Sequence, residues 1–295
     1  MSAAILAHDL RKVYRNGRGV LGLSLEIQQG EVFGFLGPNG AGKTTTIRAL
    51  MGLGRITGGS AQVAGFDVAR ESLEVRRRTG YLPGEPALYD NMTGRQHLAL
   101  ALRLRGVPDH RYALGVAERL GVELDRRVRQ MSRGNRQKVA ILLALAHDPE
   151  VLLLDEPTTG LDPLAQDVFR DILREEQHRG RTIFFSSHVL PEVQELSDRV
   201  GIIRDGRLVA VDTVEALRHS RLKEVRLRYA EEPPDLSGVP GVRGLEAKGQ
   251  ELRLHVAGDL GGLLRFLADH VPADVTFSDP SLEEVFRTYY GERGS

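Results

Sequence analysis

The spacing of hydrophobic positions changes period several times along this chain, and each change marks an element. Leu21, Leu23, Leu25 and Ile27 alternate with smaller or polar residues, and Asn16-Gly17 just before them is a hairpin turn signal, so residues 3–30 are expected as the edge of a sheet. Glu31-Val32-Phe33-Gly34-Phe35-Leu36 reads as a buried strand, after which Ile47, Leu50 and Met51 recur at helical steps. Thr57-Gly58-Gly59-Ser60 marks a turn, and Ala61 to Val68 a further short strand. Gly80-Tyr81-Leu82-Pro83-Gly84-Glu85-Pro86 is expected as loop, since its prolines and glycines oppose regular structure. Helical periodicity then takes over. Thr93 with Gln96 forms a capping-box pattern, and the stretches from Gln96 to about Leu104 and from His110 to Leu120 carry a helical repeat. Val151-Leu152-Leu153-Leu154 is an apolar run ending in Asp155-Glu156, the way a buried parallel strand delivers carboxylates to its C-terminal edge.

Composition narrows the classes. With 295 residues the chain suits one large domain plus a small one, or two domains. Forty basic residues balance forty acidic ones, so nothing marks the whole protein as a nucleic-acid binder. The absence of cysteine excludes disulfides and thiolate metal sites. The opening residues lack the charged-then-apolar layout of a leader. The longest apolar runs, Val139 to Ala146 and Val151 to Leu154, fall far short of the about 20 residues of a membrane-spanning helix. A soluble chain is expected, with any membrane role running through a partner.

Between the buried strand and the first core helix lies Gly37-Pro38-Asn39-Gly40-Ala41-Gly42-Lys43-Thr44-Thr45, which has the spacing of a phosphate-binding loop in its required strand and helix context. Glycines let successive N–H groups converge on one anion, and the helix behind adds the positive end of its dipole. Lys43 is expected to reach the outer phosphates and the Thr44 hydroxyl to bind a magnesium ion. Asp155 is placed to hold that ion through water, and Glu156 to take a proton from an attacking water. Ser132, in Met131-Ser132-Arg133-Gly134-Asn135, opens a helix running to about Ala146 and from its position alone is a plain N-cap or an anion contact. Tyr14 before the hairpin turn serves either base stacking or ordinary packing. Arg126, Arg127, Arg129, Arg133, Arg136 and Lys138 form a basic cluster, a solvated face or a contact for phosphate or protein.

Over roughly residues 3–217 the chain resembles the ATP-binding subunit of an ATP-binding-cassette (ABC) transporter. The phosphate loop, the signature-like Met131 to Asn135, the carboxylate strand, Thr158-Thr159-Gly160-Leu161-Asp162 (similar to the D-loop) and Phe184-Phe185-Ser186-Ser187-His188 (similar to the switch histidine) follow in that family's order. The resemblance implies an α/β fold: a P-loop NTPase nucleotide-binding domain over 1–220, with an antiparallel β edge and a helical subdomain over about 93–147. It also implies ATP and Mg2+ as cofactors, Tyr14 stacking on adenine, His188 at the γ-phosphate, and a head-to-tail pair of subunits, expected as a homodimer. In that pair Ser132, Gly134, Asn135 and Asp162 of one copy would complete the nucleotide site of the other. Two positions depart from the family pattern: Arg133 and Asn135 stand where glycine and glutamine are usual, and Gly84 with Glu85 stands where many relatives carry a magnesium-touching glutamine.

From about Leu222 a different module begins. Strands over Glu224 to Tyr229, Val242 to Ala247, Glu251 to Val256 and Ala273 to Phe277, a helical turn over Pro233 to Val239 and a helix over Leu260 to His270 suggest a small α+β, ferredoxin-like domain over 221–295. A last helix is expected from Ser281. The tail Pro280-Ser281-Leu282-Glu283-Glu284-Val285-Phe286 resembles that of ABC-2-type exporters of the drug-resistance and antibiotic-export group. The expected function is ATP hydrolysis powering export through a separately encoded integral membrane permease, on the cytoplasmic side of the membrane and without nucleic acid. The alternative is a soluble ABC ATPase acting on ribosomes or DNA.

Overall fold

The computed structural model describes residues 3–219, 223–256 and 260–278. The chain divides into two compact units, Met1–Asp212 and Thr213–Ser295. In the first, β1 (Ala3–Val13) and β2 (Gly19–Gln28) form an antiparallel hairpin. Its turn closes through Tyr14 N–H to Arg18 O at 2.8 Å and Gly17 N–H to Tyr14 O at 2.9 Å. The chain then runs through β3 (Val32–Leu36), α1 (Lys43–Leu50), β4 (Gly58–Val63), β5 (Phe66–Asp67), α2 (Ser72–Arg78), β6 (Thr79–Leu82), α3 (Gly94–Arg105), α4 (Arg111–Arg119) and α5 (Arg133–Leu145). It continues with β7 (Val151–Asp155), α6 (Pro163–His178), β8 (Thr182–Ser187), α7 (Leu190–Leu196), β9 (Arg199–Arg204) and β10 (Arg207–Thr213).

Two sheets result, in the orders β2-β1-β4-β5 and β10-β9-β3-β8-β7-β6. In the second, β3 is parallel to β8 and β9, and β7 is parallel to β8 and β6. Every residue of β3, β7 and β8 is buried, which explains why β3 and the apolar part of β7 read as continuous runs rather than alternating ones. Phe33 and Phe35 pack on Phe184 with ring centroids 5.8 and 5.1 Å apart. The C-terminal ends of these central strands carry the candidate site.

Three local expectations need revision. Gly80–Leu82, read as loop, belong to the edge strand β6, paired in parallel with β7. Gly80 is what allows it: a Cβ there would stand 2.2 Å from the Ala144 carbonyl oxygen, so the strand lies directly against α5. The loop starts only at Pro83. The strand expected over Ala61 to Val68 is a tight hairpin of β4 and β5, turned by Ala64 (φ 50°) and Gly65 (φ 81°). The third revision concerns Thr57 to Ser60, expected as a turn: Gly58 to Ser60 already belong to β4, where Gly58 and Ser60 pair with Arg11 and His8 of β1 across a register shift. The capping box ahead of α3 is formed in both directions, Gln96 N–H to Thr93 Oγ1 at 3.2 Å and Thr93 N–H to Gln96 Oε1 at 2.9 Å. Tyr112 Oη to Glu176 Oε1 (2.9 Å) and the Arg119–Glu175 pair fasten α4 to α6.

The second unit contains α8 (Val214–His219), β11 (Lys223–Arg228), β12 (Val242–Lys248), β13 (Glu251–Val256), α9 (Gly261–Asp269) and β14 (Asp274–Ser278). Its antiparallel sheet has the order β12-β13-β11-β14. Val225, Leu227, Leu252, Leu254, Leu263 and Leu267 form its core. The stretch from Pro233 to Val239 is irregular chain ending in a turn at Ser237-Gly238 rather than helix. The helix expected from Ser281 lies outside the described residues. No helix among the described residues is long and apolar enough to cross a membrane.

Candidate active site

The site is built on the sheet edge where β3 ends. Residues 37–42 turn over that edge before α1, and Gly40 (φ 82°) and Gly42 (φ 112°) take backbone conformations that side chains disfavour. Gly37 is required for space, since a Cβ would stand 2.5 Å from the Ile203 carbonyl oxygen. The N-cap of α1 is Gly42, with no side-chain cap bond, so the first-turn N–H groups and the positive dipole end remain available to an anion. Lys43 Nζ donates to Gly37 O at 2.5 Å and Pro38 O at 3.2 Å and stands 3.1 Å from Glu156 Oε1. A cavity of about 220 Å³ is lined by Tyr14, Arg18, Gly19, Pro38, Asn39, Gly40, Gly42, Lys43, Thr44, Thr45 and Glu156. Ala41, within the loop, is buried. Lys12 Nζ lies 5.3 Å from the Tyr14 ring centroid.

Beside the loop, the end of β7 delivers two acids to adjacent residues, Asp155 to Thr44 and Glu156 to Lys43. Asp155 is buried, and its carboxylate accepts from Thr44 Oγ1 and from Ser186 Oγ, both at 2.6 Å. Glu156 leaves the strand in a left-handed conformation (φ 50°), and its N–H donates to the same Ser186 Oγ at 3.0 Å. An L residue there costs on the order of 1 kcal/mol, and the conformation swings the Glu156 carboxylate out into the cavity. Its Oε2 lies 2.8 Å from His188 Nδ1, at the end of β8. The chain therefore brings Lys43, Glu156 and His188 into one row. Hydroxyl and carboxylate oxygens alone form the Thr44–Asp155 pair, a donor set suited to a hard cation such as Mg2+.

The signature-like helix start has a different character. Ser132 is exposed, and its Oγ accepts from Asn135 N–H at 3.2 Å, capping α5. Asn135 itself is buried, with Oδ1 accepting from Glu123 N–H at 3.2 Å. Gly134 packs on the next landmark, as a Cβ there would stand 2.8 Å from Gly160 O. Asp162 caps α6 through Ala165 N–H at 2.9 Å, the bond that most lowers its carboxyl's pKa, and its Oδ2 lies 3.9 Å from Lys138 Nζ. Ser132, Gly134, Asn135 and Asp162 do not line the cavity that holds Lys43.

Comparison with known proteins agrees with this geometry. Residues 20–159 match the family model described as ABC transporter. The ABC transporter ATP-binding protein NatA of Bacillus subtilis (strain 168) is 41% identical over 222 residues, covering 73% of this chain and 89% of NatA. The chain belongs to the ABC transporter family. The bacitracin transport ATP-binding protein BcrA of Bacillus licheniformis is 38% identical over 234 residues, 78% of this chain and 75% of BcrA. A solved ATP-binding subunit of an ABC transporter superposes with a TM-score of 0.67 at 30% identity, covering 73% of this chain and 92% of that one. This chain is thus an ATP-binding, ATP-hydrolysing ABC transporter subunit with the ABC ATPase fold.

Several residues of this ABC subunit's site escaped the sequence reading. Arg18 enters the cavity from the hairpin, and Ser186 orients Asp155 while receiving the Glu156 N–H. Gln137 Nε2, buried, donates to Pro157 O at 2.9 Å, tying α5 to the segment that carries Glu156. Gly84 approaches Asp155 closely, since its Cβ would stand 3.2 Å from Oδ2, whereas Glu85 is exposed. Nearby, burial pushes the Tyr81 phenol above its usual value.

Proposed function

We propose that this subunit hydrolyses Mg-ATP at sites shared between two copies and so drives export through a separately encoded ABC-2-type permease, at the cytoplasmic side of the membrane. The observation that carries the chemistry is Glu156 held between Lys43 (3.1 Å) and His188 (2.8 Å) at the wall of the phosphate-loop cavity. A triphosphate in the loop gives Lys43 a stronger acceptor than Glu156 and the loop carbonyls. Glu156 Oε1 then becomes the acceptor for a water proton, while His188 fixes Oε2. The water oxygen attacks the γ-phosphorus, and the bond to the β-phosphate oxygen breaks, leaving ADP and phosphate. Thr44 and Asp155 would hold Mg2+, which neutralises charge on the phosphate oxygens. Tyr14, at the cavity's edge, would stack on adenine.

Two copies are needed because the Ser132 hydroxyl, the Gly134 N–H and the dipole of α5 suit the γ-phosphate but lie outside their own chain's cavity. In the pair, Asp162 would lie at the shared boundary and Asn135 would hold Ser132 in its cap. Tighter binding of ATP than of ADP by the closed pair would drive the permease between two shapes. Names of relatives support a transport role: NatA is an ABC transporter ATP-binding protein, and BcrA a bacitracin transport ATP-binding protein.

Glu156→Gln is expected to keep ATP binding, lower phosphate release by roughly 10²- to 10⁴-fold and run as an ATP-bound dimer in size-exclusion chromatography. Undiminished phosphate release would refute Glu156 as the base. From detergent-solubilised membranes an integral membrane protein should co-purify with the chain; co-purification with ribosomes instead would contradict the transport reading.

A further inference from the structure

We propose that Glu192 is a positioning residue for hydrolysis, bracing the segment that carries Glu156 against the strand end that carries His188. Glu192 lies in the first turn of α7, and each of its carboxylate oxygens takes one hydroxyl from a different segment. Thr158 Oγ1 donates to Oε1 at 2.8 Å, and Ser187 Oγ donates to Oε2 at 2.7 Å. Thr158 follows Glu156 by one intervening proline, and Ser187 immediately precedes His188. Thr158 and Ser187 are 7% and 0% exposed, so losing the carboxylate would strand two hydroxyls away from bulk water. Ser187 Oγ also accepts from Val189 N–H at 2.9 Å, which fixes the backbone on both sides of His188.

This arrangement complements that of the neighbouring serine. Ser186 ties β8 directly to Asp155 and to the Glu156 N–H, whereas Ser187 reaches the segment beyond Glu156 through Glu192. Across the brace, His188 and Glu156 meet at 2.8 Å. Hydrogen bonds to a carboxylate are shorter and stronger than neutral ones, so a two-pronged carboxylate sets the spacing of two loops more firmly than a hydroxyl chain would. Glu192 does not line the nucleotide cavity; it acts through Thr158 and Ser187. Pro157-Thr158 is gripped from both sides, by Gln137 of α5 at the Pro157 carbonyl and by Glu192 at the Thr158 hydroxyl. A displacement of the signature helix is thereby felt where the base is held.

The role rests on Glu156 acting as the base, and the test separates the two. Steady-state phosphate release and fluorescent-nucleotide titration are measured for Glu192→Ala, Glu192→Gln and Ser187→Ala/Glu192→Ala, beside Glu156→Gln. Glu192→Ala is expected to lower kcat by about 10- to 100-fold while ATP affinity and KM stay within about twofold. In Glu192→Gln the amide keeps an acceptor for Thr158 and offers a donor to Ser187 Oγ, and kcat should return to within about threefold of wild type. Adding Ser187→Ala to Glu192→Ala should cost little more, because both remove one brace. Should Glu192→Ala not fold, Thr158→Val, similar in shape and lacking the hydroxyl, carries the same expected kcat loss. Wild-type kcat in Glu192→Ala or Thr158→Val, kcat and ATP affinity falling together, or a glutamine variant as slow as alanine overturns the brace. Full turnover by Glu156→Gln would remove the base itself, whereas its loss of turnover beside an unaffected Glu192→Ala removes only the brace.

Discussion

The helices α1 and α5 both begin with the chemistry of an anion site, yet they begin differently. At α1 the cap is a glycine that offers no acceptor, the preceding loop curls around the helix start, and Lys43 fills the interior with its side chain 6% exposed. At α5 the cap is Ser132, which closes the first turn on its own Asn135 N–H and remains exposed. An uncapped helix start inside a walled cavity binds an anion within one chain; a capped start on the surface has its donors turned outward and needs a second surface to enclose anything. The contrast is what one expects if each nucleotide is enclosed by two chains, one supplying the cradle and the other a cover.

Breaking the cradle should have the largest effect. Lys43→Ala removes the cation from the loop and is expected to weaken ATP binding by about 100-fold or more, since charge-assisted bonds to phosphate are among the strongest available; wild-type affinity by fluorescent-nucleotide titration would contradict it. The cover should fail in another way. Ser132→Ala is expected to leave nucleotide binding to the isolated subunit unchanged, lower phosphate release about tenfold and cost about 1 kcal/mol of stability through the lost cap. A parallel loss of binding would put Ser132 in the cradle of its own chain.

The smallest effect concerns the far end of α5. His147 Nε2 contacts Thr79 O at 3.2 Å, where β6 begins, and burial, aided by Arg105, lowers its pKa from 6.5 to about 4. The folded chain therefore resists protonation that the unfolded chain accepts. Stability from this group is full above pH 6.5 and falls as the pH drops toward 4, by on the order of 1 kcal/mol once partial solvent screening is allowed for. His147→Gln, which keeps a donor for Thr79 O, should flatten that part of the urea-midpoint profile. An unchanged slope between pH 6.5 and 4 would contradict the assignment.

The cradle was far more legible in the sequence than the parts that orient it. Gly37 to Thr45 and Asp155-Glu156 are contiguous and sit in strand and helix contexts that single stretches reveal. Thr93 and Gln96 likewise signal a cap across four residues, and the cap forms. Ser186 and Glu192 gave no such signal, because their partners Asp155 and Thr158 lie at and just beyond the end of β7 and become neighbours only when β7 and β8 pair; Ser187 joins them through Glu192. Serines closing an apolar strand were the available hint. Gly80 misled for a related reason: read locally it breaks a strand, while in the fold it lets β6 lie against Ala144. Asn135 could be read as reaching outward because its burial depends on Glu123, in a loop whose path no local pattern defines. In the second unit the strands could be read from their alternation, but the irregular stretch over Pro233 to Val239 could not be told from a short helical turn.

Mixing two inactive variants tests the shared site most directly. Lys43→Ala disables the cradle, and Ser132→Asp keeps a good helix cap while setting a negative charge against the incoming phosphate. In a symmetric pair, half of the randomly mixed dimers carry one site with both halves intact, so the mixture should recover about a quarter of wild-type phosphate release. If instead the mixture is no more active than the two variants measured apart, cradle and cover do not come from different chains.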